Sequence, residues 1–150
     1  KKGEANIHSI PPKFKIGEAI IVQPGNDVAL LCAGNMMSET LKASDILSKN
    51  GVSAEVVSFH TVKPLDEIYL KSASARFKLL ITVEEHSRIG GFGSAVSEWR
   101  SFTNCDVQQI ILGTDDEFMH EVGSQSYARQ KYGLTAQGIA TRVLNRLRDK

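Results

Sequence analysis

Five short aliphatic runs, separated by turns or by apolar residues at helical spacing, constrain what this chain can fold into. They are Ala19 to Val22, Val28 to Cys32, Ala54 to Phe59, Lys78 to Val83 and Val107 to Leu112. Runs this short and this apolar read as strands buried on both faces. Strands that alternate with helices are mostly parallel, because parallel neighbours need crossover connections, and the helices then cover both faces of the sheet. The expected class is α/β. Only Pro24-Gly25-Asn26-Asp27, a turn by composition, separates the first two runs, so a hairpin is expected there.

The helices are delimited by their ends. Gly34-Asn35 opens one in which Met37, Thr40, Leu41, Ser44 and Leu47 share a face, and Asn50-Gly51 stops it. Pro64 disfavours helix before it, and Asp66 is placed to cap a helix carrying Ile68, Tyr69 and Ser72. Phe92, Ala95, Val96, Trp99 and Phe102 recur at helical spacing. Gly123-Ser124 starts a short helix around Tyr127 and Tyr132, closed by Gly133, and Thr135 caps a last one lined by Ala136, Ile139, Ala140, Val143 and Leu147. Residues 1–15, with His8, Pro11 and Pro12 and no periodicity, read as an extended arm or linker, leaving one domain over residues 16–150.

Charge and composition narrow the partners. Among 150 residues, 18 basic and 17 acidic side chains are interspersed, so no field favours nucleic acid or an anionic membrane. No apolar run approaches the roughly 20 residues that span a bilayer, and the first residues lack the apolar core of a signal peptide. Cys32 lies in an apolar run and Cys105 in a loop, without a C-x-x-C pair, which favours two reduced thiols. A cytoplasmic location is the expectation. The chain begins without Met, as a fragment or a processed chain would.

The chemistry-bearing stretch is Lys78 to Phe102. Its strand is followed by a polar segment, Glu84-Glu85-His86-Ser87-Arg88, read as a turn, and by Gly90-Gly91-Phe92-Gly93 at a helix start. Ligands and partner surfaces meet open α/β sheets at such strand ends. The glycines invite comparison with a dinucleotide fingerprint, since Asp115 follows about twenty residues on. Seven residues nevertheless separate Gly91 from the strand end at Val83, and Val96 stands at the third glycine position. Close helix packing is the better reading. The amides of this helix start remain able to hold an anion, such as a carboxylate of a neighbouring domain.

Three adjacent residues on an extended segment point to opposite faces, so Glu84, Glu85 and His86 cannot all meet one ion, and no metal site is expected. A carboxylate beside an imidazole can orient it for acid–base work, but a polar network at a domain or subunit contact is the preferred reading. Ser87 and Ser94 lack a nucleophile-elbow context. His60 and His120 stand alone, and a structural role is expected for each.

Taken in order, Thr61-Val62-Lys63-Pro64-Leu65-Asp66, Thr82-Val83-Glu84-Glu85-His86, Gly90-Gly91-Phe92-Gly93-Ser94-Ala95-Val96-Ser97-Glu98 and Tyr132-Gly133-Leu134 with Ile139 resemble the C-terminal domain of the transketolase family. The resemblance runs from about Ile16 to about Leu147. It is closest to the C-terminal part of transketolases encoded as two pieces. Deoxyxylulose-phosphate synthases are similar around the glycines but tend to carry Asn in place of His86. Beta subunits of 2-oxoacid dehydrogenases share Val83-Glu84-Glu85 and depart at the glycines. An independent small-molecule or nucleotide-binding module on the same fold is a further alternative.

The resemblance implies a three-layer α/β/α fold with a five-stranded mixed sheet and one antiparallel edge strand. It implies a parent enzyme that transfers a two-carbon ketol unit between sugar phosphates with thiamine diphosphate and a divalent metal such as Mg. Those are bound by separate pyrimidine-binding and diphosphate-binding domains, in a parent expected to be a homodimer. No G-D-G followed by the Asn of a diphosphate and metal site stands in this sequence, so no catalytic, cofactor-binding or metal-binding residue is expected here and the isolated chain should be inactive. The candidate interface or regulatory residues that the resemblance points to are Glu85, His86, Ser87, Gly90, Gly91, Gly93 and Ser94.

Overall fold

The strand over Val28–Cys32 is buried at every position. Because side chains alternate along a strand, Val28, Leu30 and Cys32 enter one core cluster while Ala29 and Leu31 enter another on the opposite face. A strand apolar on both sides needs a layer on each. The computed structural model, which describes residues 6–8 and 10–149, supplies both. In chain order the elements are β1 (Ile20–Gln23), β2 (Val28–Cys32), α1 (Met37–Lys49) after a 3-10 turn at Gly34–Met36, β3 (Ala54–Ser58), α2 (Glu67–Arg76), β4 (Leu79–Ser87), α3 (Phe92–Phe102), β5 (Gln108–Thr114), α4 (Gln125–Lys131) and α5 (Ala136–Arg148).

The sheet runs β1-β3-β2-β4-β5, parallel throughout except for β1, which lies antiparallel on the edge beside β3. One cluster joins the sheet to Met37 and Leu47 of α1 and to Ile139 and Val143 of α5. The other joins it to Leu70 and Ala73 of α2 and to Phe92, Val96 and Trp99 of α3. This is the three-layer α/β/α fold with a five-stranded mixed sheet. Asp66, Ser124 and Thr135 cap α2, α4 and α5 through their side chains, as the sequence indicates.

The expected hairpin does not form. β1 pairs with β3, and Pro24 to Asp27 carries the chain past the start of β3 into the sheet centre. The N–H groups of Asn26 and Asp27 donate to Ser53 O at 3.2 and 2.8 Å, and the Asp27 carboxylate accepts from the Ser53 N–H at 2.6 Å. The reason is burial: β2 is apolar on both faces and needs a strand on either side, whereas the half-exposed β1 can sit on the edge. Gly25 permits the crossing, because a Cβ there would overlap the Ala54–Glu55 peptide.

Two apolar side chains also point the other way from the sequence reading. Ile68 is 87% exposed, because α2 buries Leu70 and Ala73 and the two-residue step from Leu70 turns Ile68 to the opposite side. Phe102, 84% exposed, falls off the edge of the α3 stripe formed by Phe92, Val96 and Trp99. The described part of the arm, residues 6–8 and 10–15, forms no helix or strand, and Phe14 meets the His60 ring edge-on with centroids 5.0 Å apart. The rest of that expected arm, residues 1–5 and 9, lies outside the described residues.

A buried carboxylate fixes α2 to the sheet. Glu55 on β3 accepts from both terminal nitrogens of Arg76 at 2.9 Å and from the Tyr69 hydroxyl at 2.6 Å. Burial pushes its carboxyl up, but the hydrogen bonds from Arg76 and Tyr69 outweigh this and hold it below the usual carboxylate range. Gly25→Ala tests the strand crossing. It should lower the unfolding free energy in urea by about 1–3 kcal/mol through overpacking. A denaturation midpoint equal to the parent's would show that β1 does not pass against β3 as described.

Candidate functional site

Glu84, Glu85 and His86 are strand residues, not a turn. β4 runs to Ser87 because β5 accompanies it, although the register shifts between Val83 and Ser87: Val83 faces Leu112 and Ser87 faces Thr114. Four residues of β4 thus match two of β5, a bulge of the kind that re-aims side chains at sheet ends. Within it the alternation persists. Leu79, Ile81 and Val83 join the α1/α5 cluster, Leu80 the α2/α3 cluster, and Glu84 continues on the α3 side.

Glu84 is buried, and its carboxylate closes the start of α3. One oxygen accepts from the Phe92 N–H at 2.6 Å and the other from the Gly93 N–H at 2.7 Å. The first amides of a helix lack partners within it and carry its positive end, so a carboxylate there both satisfies donors and meets favourable charge. The chain itself thus supplies a carboxylate to the amides that were open to one from a neighbouring domain. Those amides are occupied, and a phosphate approaching them would meet a fixed negative charge.

Glu85 points the other way. It accepts from the Asn35 side-chain amide, from Gln125 Nε2 at 2.7 and 3.0 Å and from Arg129 Nε at 2.8 Å, while Arg129 also reaches Asn35 O at 3.5 Å. Burial raises the Glu85 carboxyl, but the hydrogen bonds from Asn35, Arg129 and Gln125, with the Arg129 charge, hold it below the usual range. This clamp anchors α4, which buries none of its own residues. His86 returns to the α3 side, its side chain 63% exposed; Nδ1 lies 3.0 Å from Ser87 O and 4.0 Å from the Glu84 carboxylate.

The seven candidate residues divide. Glu85, His86, Gly90 and Gly91 line one open cleft of about 500 Å³, which Asn35 and Val62 border. Ser87 and Ser94 spend their hydroxyls on the connecting turn: Ser87 Oγ accepts from the Ile89 N–H at 3.2 Å, and Ser94 Oγ accepts from the Gly90 N–H and donates to Arg88 O, both at 2.9 Å. Gly93 is buried, and a Cβ on it would overlap Ile111 Cγ2 and lie 2.8 Å from Thr82 Oγ1. The sequence marks Asn35 only as part of a helix start and does not mark Gln125 or Arg129; the three stand 50, 40 and 44 residues from Glu85, and no local pattern joins such pairs. Among the described residues no group of three or more His, Cys, Asp or Glu side chains is placed to hold a metal ion, and the helix start that would suit a diphosphate is closed. These residues do not fit thiamine diphosphate or its metal.

A three-layer α/β/α domain with a self-capped helix and a polar clamp at its strand ends is the class the geometry defines. The family model described as "Transketolase, C-terminal domain" matches residues 17–139, and the chain belongs to that family. The 6-deoxy-6-sulfo-D-fructose transketolase subunit SqwH of Clostridium sp. (strain MSTE9) is 37% identical over 93% of this chain and 42% of its own length. A 1-deoxy-D-xylulose-5-phosphate synthase of Syntrophotalea carbinolica is 38% identical over 93% of this chain and 21% of its own length. A solved structure described as "Split gene transketolase, inactive beta4 tetramer" superposes with a TM-score of 0.88 at 31% identity, covering 95% of this chain and 46% of that one. The chain thus spans less than half the length of these relatives.

Two measurements check the site. Gly93→Val should destabilise the chain by about 1–3 kcal/mol by forcing α3 off β4 and β5, and an unchanged urea midpoint would contradict the packing. Because the Glu85 carboxyl titrates lower in the folded chain than its ordinary 4.5, the folded state binds fewer protons there. Its stabilisation is complete above about pH 4.5 and is lost as the pH falls through the depressed folded value. Glu85→Gln should therefore lower stability at pH 7 and flatten its fall with acid, and an acid limb as steep as the parent's would exclude the clamp.

Proposed function

We propose that this chain is the non-catalytic C-terminal domain or subunit of a thiamine diphosphate-dependent transketolase, and that its strand-end face docks the pyrimidine-binding domain. The observation that carries this reading is the combination of fixed polar groups and uncovered apolar ones on that face. Glu84 and Glu85 have their partners within the chain, while Ile89, Phe118 and Val122, in the loops that follow β4 and β5, are 69%, 87% and 106% exposed. Polar groups already satisfied cost little to cover, and exposed apolar ones gain by it. The relatives' greater length supports the presence of further domains in the parent, and the likeness to a split-gene transketolase supports a division into two chains.

In this reading the parent carries thiamine diphosphate and a divalent metal in its other domains, transfers a ketol unit between sugar phosphates, and works as a cytoplasmic homodimer. This chain's residues contribute assembly: Glu85 and Gly90 to Gly91 shape the cleft, His86 offers a hydrogen bond to the partner, and Gly93 and Ser94 hold α3 and its turn in place. Residues 16–150 act as the folded unit, with residues 1–15 as the connection toward the rest of the parent. Among the described residues no helix is long and apolar enough to cross a membrane.

Two readouts test the reading together. Calorimetric titration of the isolated chain with thiamine diphosphate and magnesium should give no saturable heat, and micromolar binding would overturn it. His86→Ala should change the stability of the lone chain by less than about 0.5 kcal/mol, as at ordinary surface positions. In the assembled enzyme the same change should weaken association about fivefold, the equivalent of one lost hydrogen bond. Equal and small effects in both settings would remove His86 from the docking surface.

A further inference from the structure

Helix α4 is held to the domain differently from the other helices. α1, α2, α3 and α5 each bury apolar side chains, whereas α4 buries none of its seven residues. A helix of that length falls well short of the roughly 12–15 residues at which one becomes marginally stable alone in water. Among the described residues, the side-chain hydrogen bonds from α4 to the body of the domain run from Gln125 and Arg129 to Glu85, and from Arg129 to Asn35 O. The loop in front of α4 is tied to the helix itself. Glu121 accepts from the Tyr127 hydroxyl at 2.7 Å and from Lys131 Nζ at 3.0 Å, and a Cβ on Gly123 would overlap the Tyr127 ring. Loop and helix thus form one piece, bounded by the Arg88–Asp115 pair after β5 and by buried Tyr132 and left-handed Gly133 (φ 68°) before α5.

Parting this piece from β4 uncovers little apolar surface. It also returns the Glu85 and Arg129 charges, whose paired side chains are 24% and 16% exposed, to water, which offsets much of the lost pairing. The same movement takes Gln125 and Arg129 from Glu85 and leaves its carboxylate, on the wall of the strand-end cleft, to the Asn35 amide and water. A surface covering the cleft in that state would bury a charge without its cation, which is costly; with α4 seated it covers a carboxylate already satisfied. Covering the cleft and seating α4 therefore favour one another, and the coupling is reciprocal.

We infer that residues 115–131 form a latch that opens and closes as one unit, with Glu85 as its catch, and that the domain docked on the strand-end face holds it shut. Opening as a unit follows from contacts within this chain, while closure by a partner rests on the docking proposed for that face.

Amide hydrogen exchange on the whole chain, followed by NMR at low urea concentrations, tests the unit. The α4 amides, among them Ala128, which donates to Ser124 O at 3.1 Å, should exchange about 100-fold or more faster than those of β2. Their rates should respond little to urea, because a local opening exposes little surface. Arg129→Gln removes the cation beside Glu85 and should speed exchange across α4 about tenfold; Gln125→Ala, at an exposed position, should speed it about threefold. Exchange of α4 only together with β2, or at the parent's rate in both variants, overturns the latch. In the assembled enzyme the amides of residues 89–91 report docking and those of α4 report closure, and both sets should slow. Slowing at 89–91 with α4 unchanged overturns closure by the partner. Slowing at neither overturns the docking itself, and closure by the partner with it, while the lone-chain rates decide the latch on their own.

Discussion

The structure at the strand ends depends on one carboxylate. Glu84 sits at the last fully buried position of β4 and takes the first two amides of α3, so strand and helix are joined by a charged cap eight residues apart in sequence. Without it a helix whose N-cap residue is Gly91, with no side chain to accept from its amides, would begin with buried donors facing a sheet. Gly93 is the steric counterpart of that contact, since the helix approaches Thr82 and Ile111 too closely for a side chain. Cap and glycine place the turn from Arg88 to Gly91, and with it the rim of the cleft.

The alternation of a strand then assigns opposite tasks to neighbours. Glu84 ties β4 to α3 on one face, and Glu85 ties β4 to α4 and to the turn before α1 on the other. Both carboxylates are committed within the chain, which leaves His86 as the exposed polar group of the three. Among the described residues no metal-holding group lies beside it, and Glu84 already occupies the helix terminus.

The fold was legible where short-range patterns decide it. Alternating strand and helix signals implied a mostly parallel sheet covered on both faces, and side-chain caps at Asp66, Ser124 and Thr135 stand where their residue types put them. What failed was decided by distant contacts. β1 passes by β2 to pair with β3 because β2 is wanted in the centre, and nothing in residues 19–32 encodes the arrival of β3 between them. The polar run 84–87 looked like a turn because buried strand ends are rarely acidic; its helix partner and β5 make it a strand. At the strand end, Glu84 takes the α3 amides that the sequence left able to hold an outside anion, and Glu85 turns to α4 on the other face. No local signal joined Asn35, Gln125 and Arg129 to Glu85.

Amide hydrogen exchange in Glu84→Gln measures the central contact most directly. A glutamine keeps the shape but can accept at only one of its two terminal atoms, and its amide nitrogen would face a second donor. The account predicts that the Phe92 and Gly93 amides, slow to exchange in the parent, lose protection in the variant together with the first turn of α3, while β2 exchanges no faster relative to global unfolding. Unchanged protection at Phe92 and Gly93 would contradict it, because the helix start would then be held by something other than the Glu84 carboxylate.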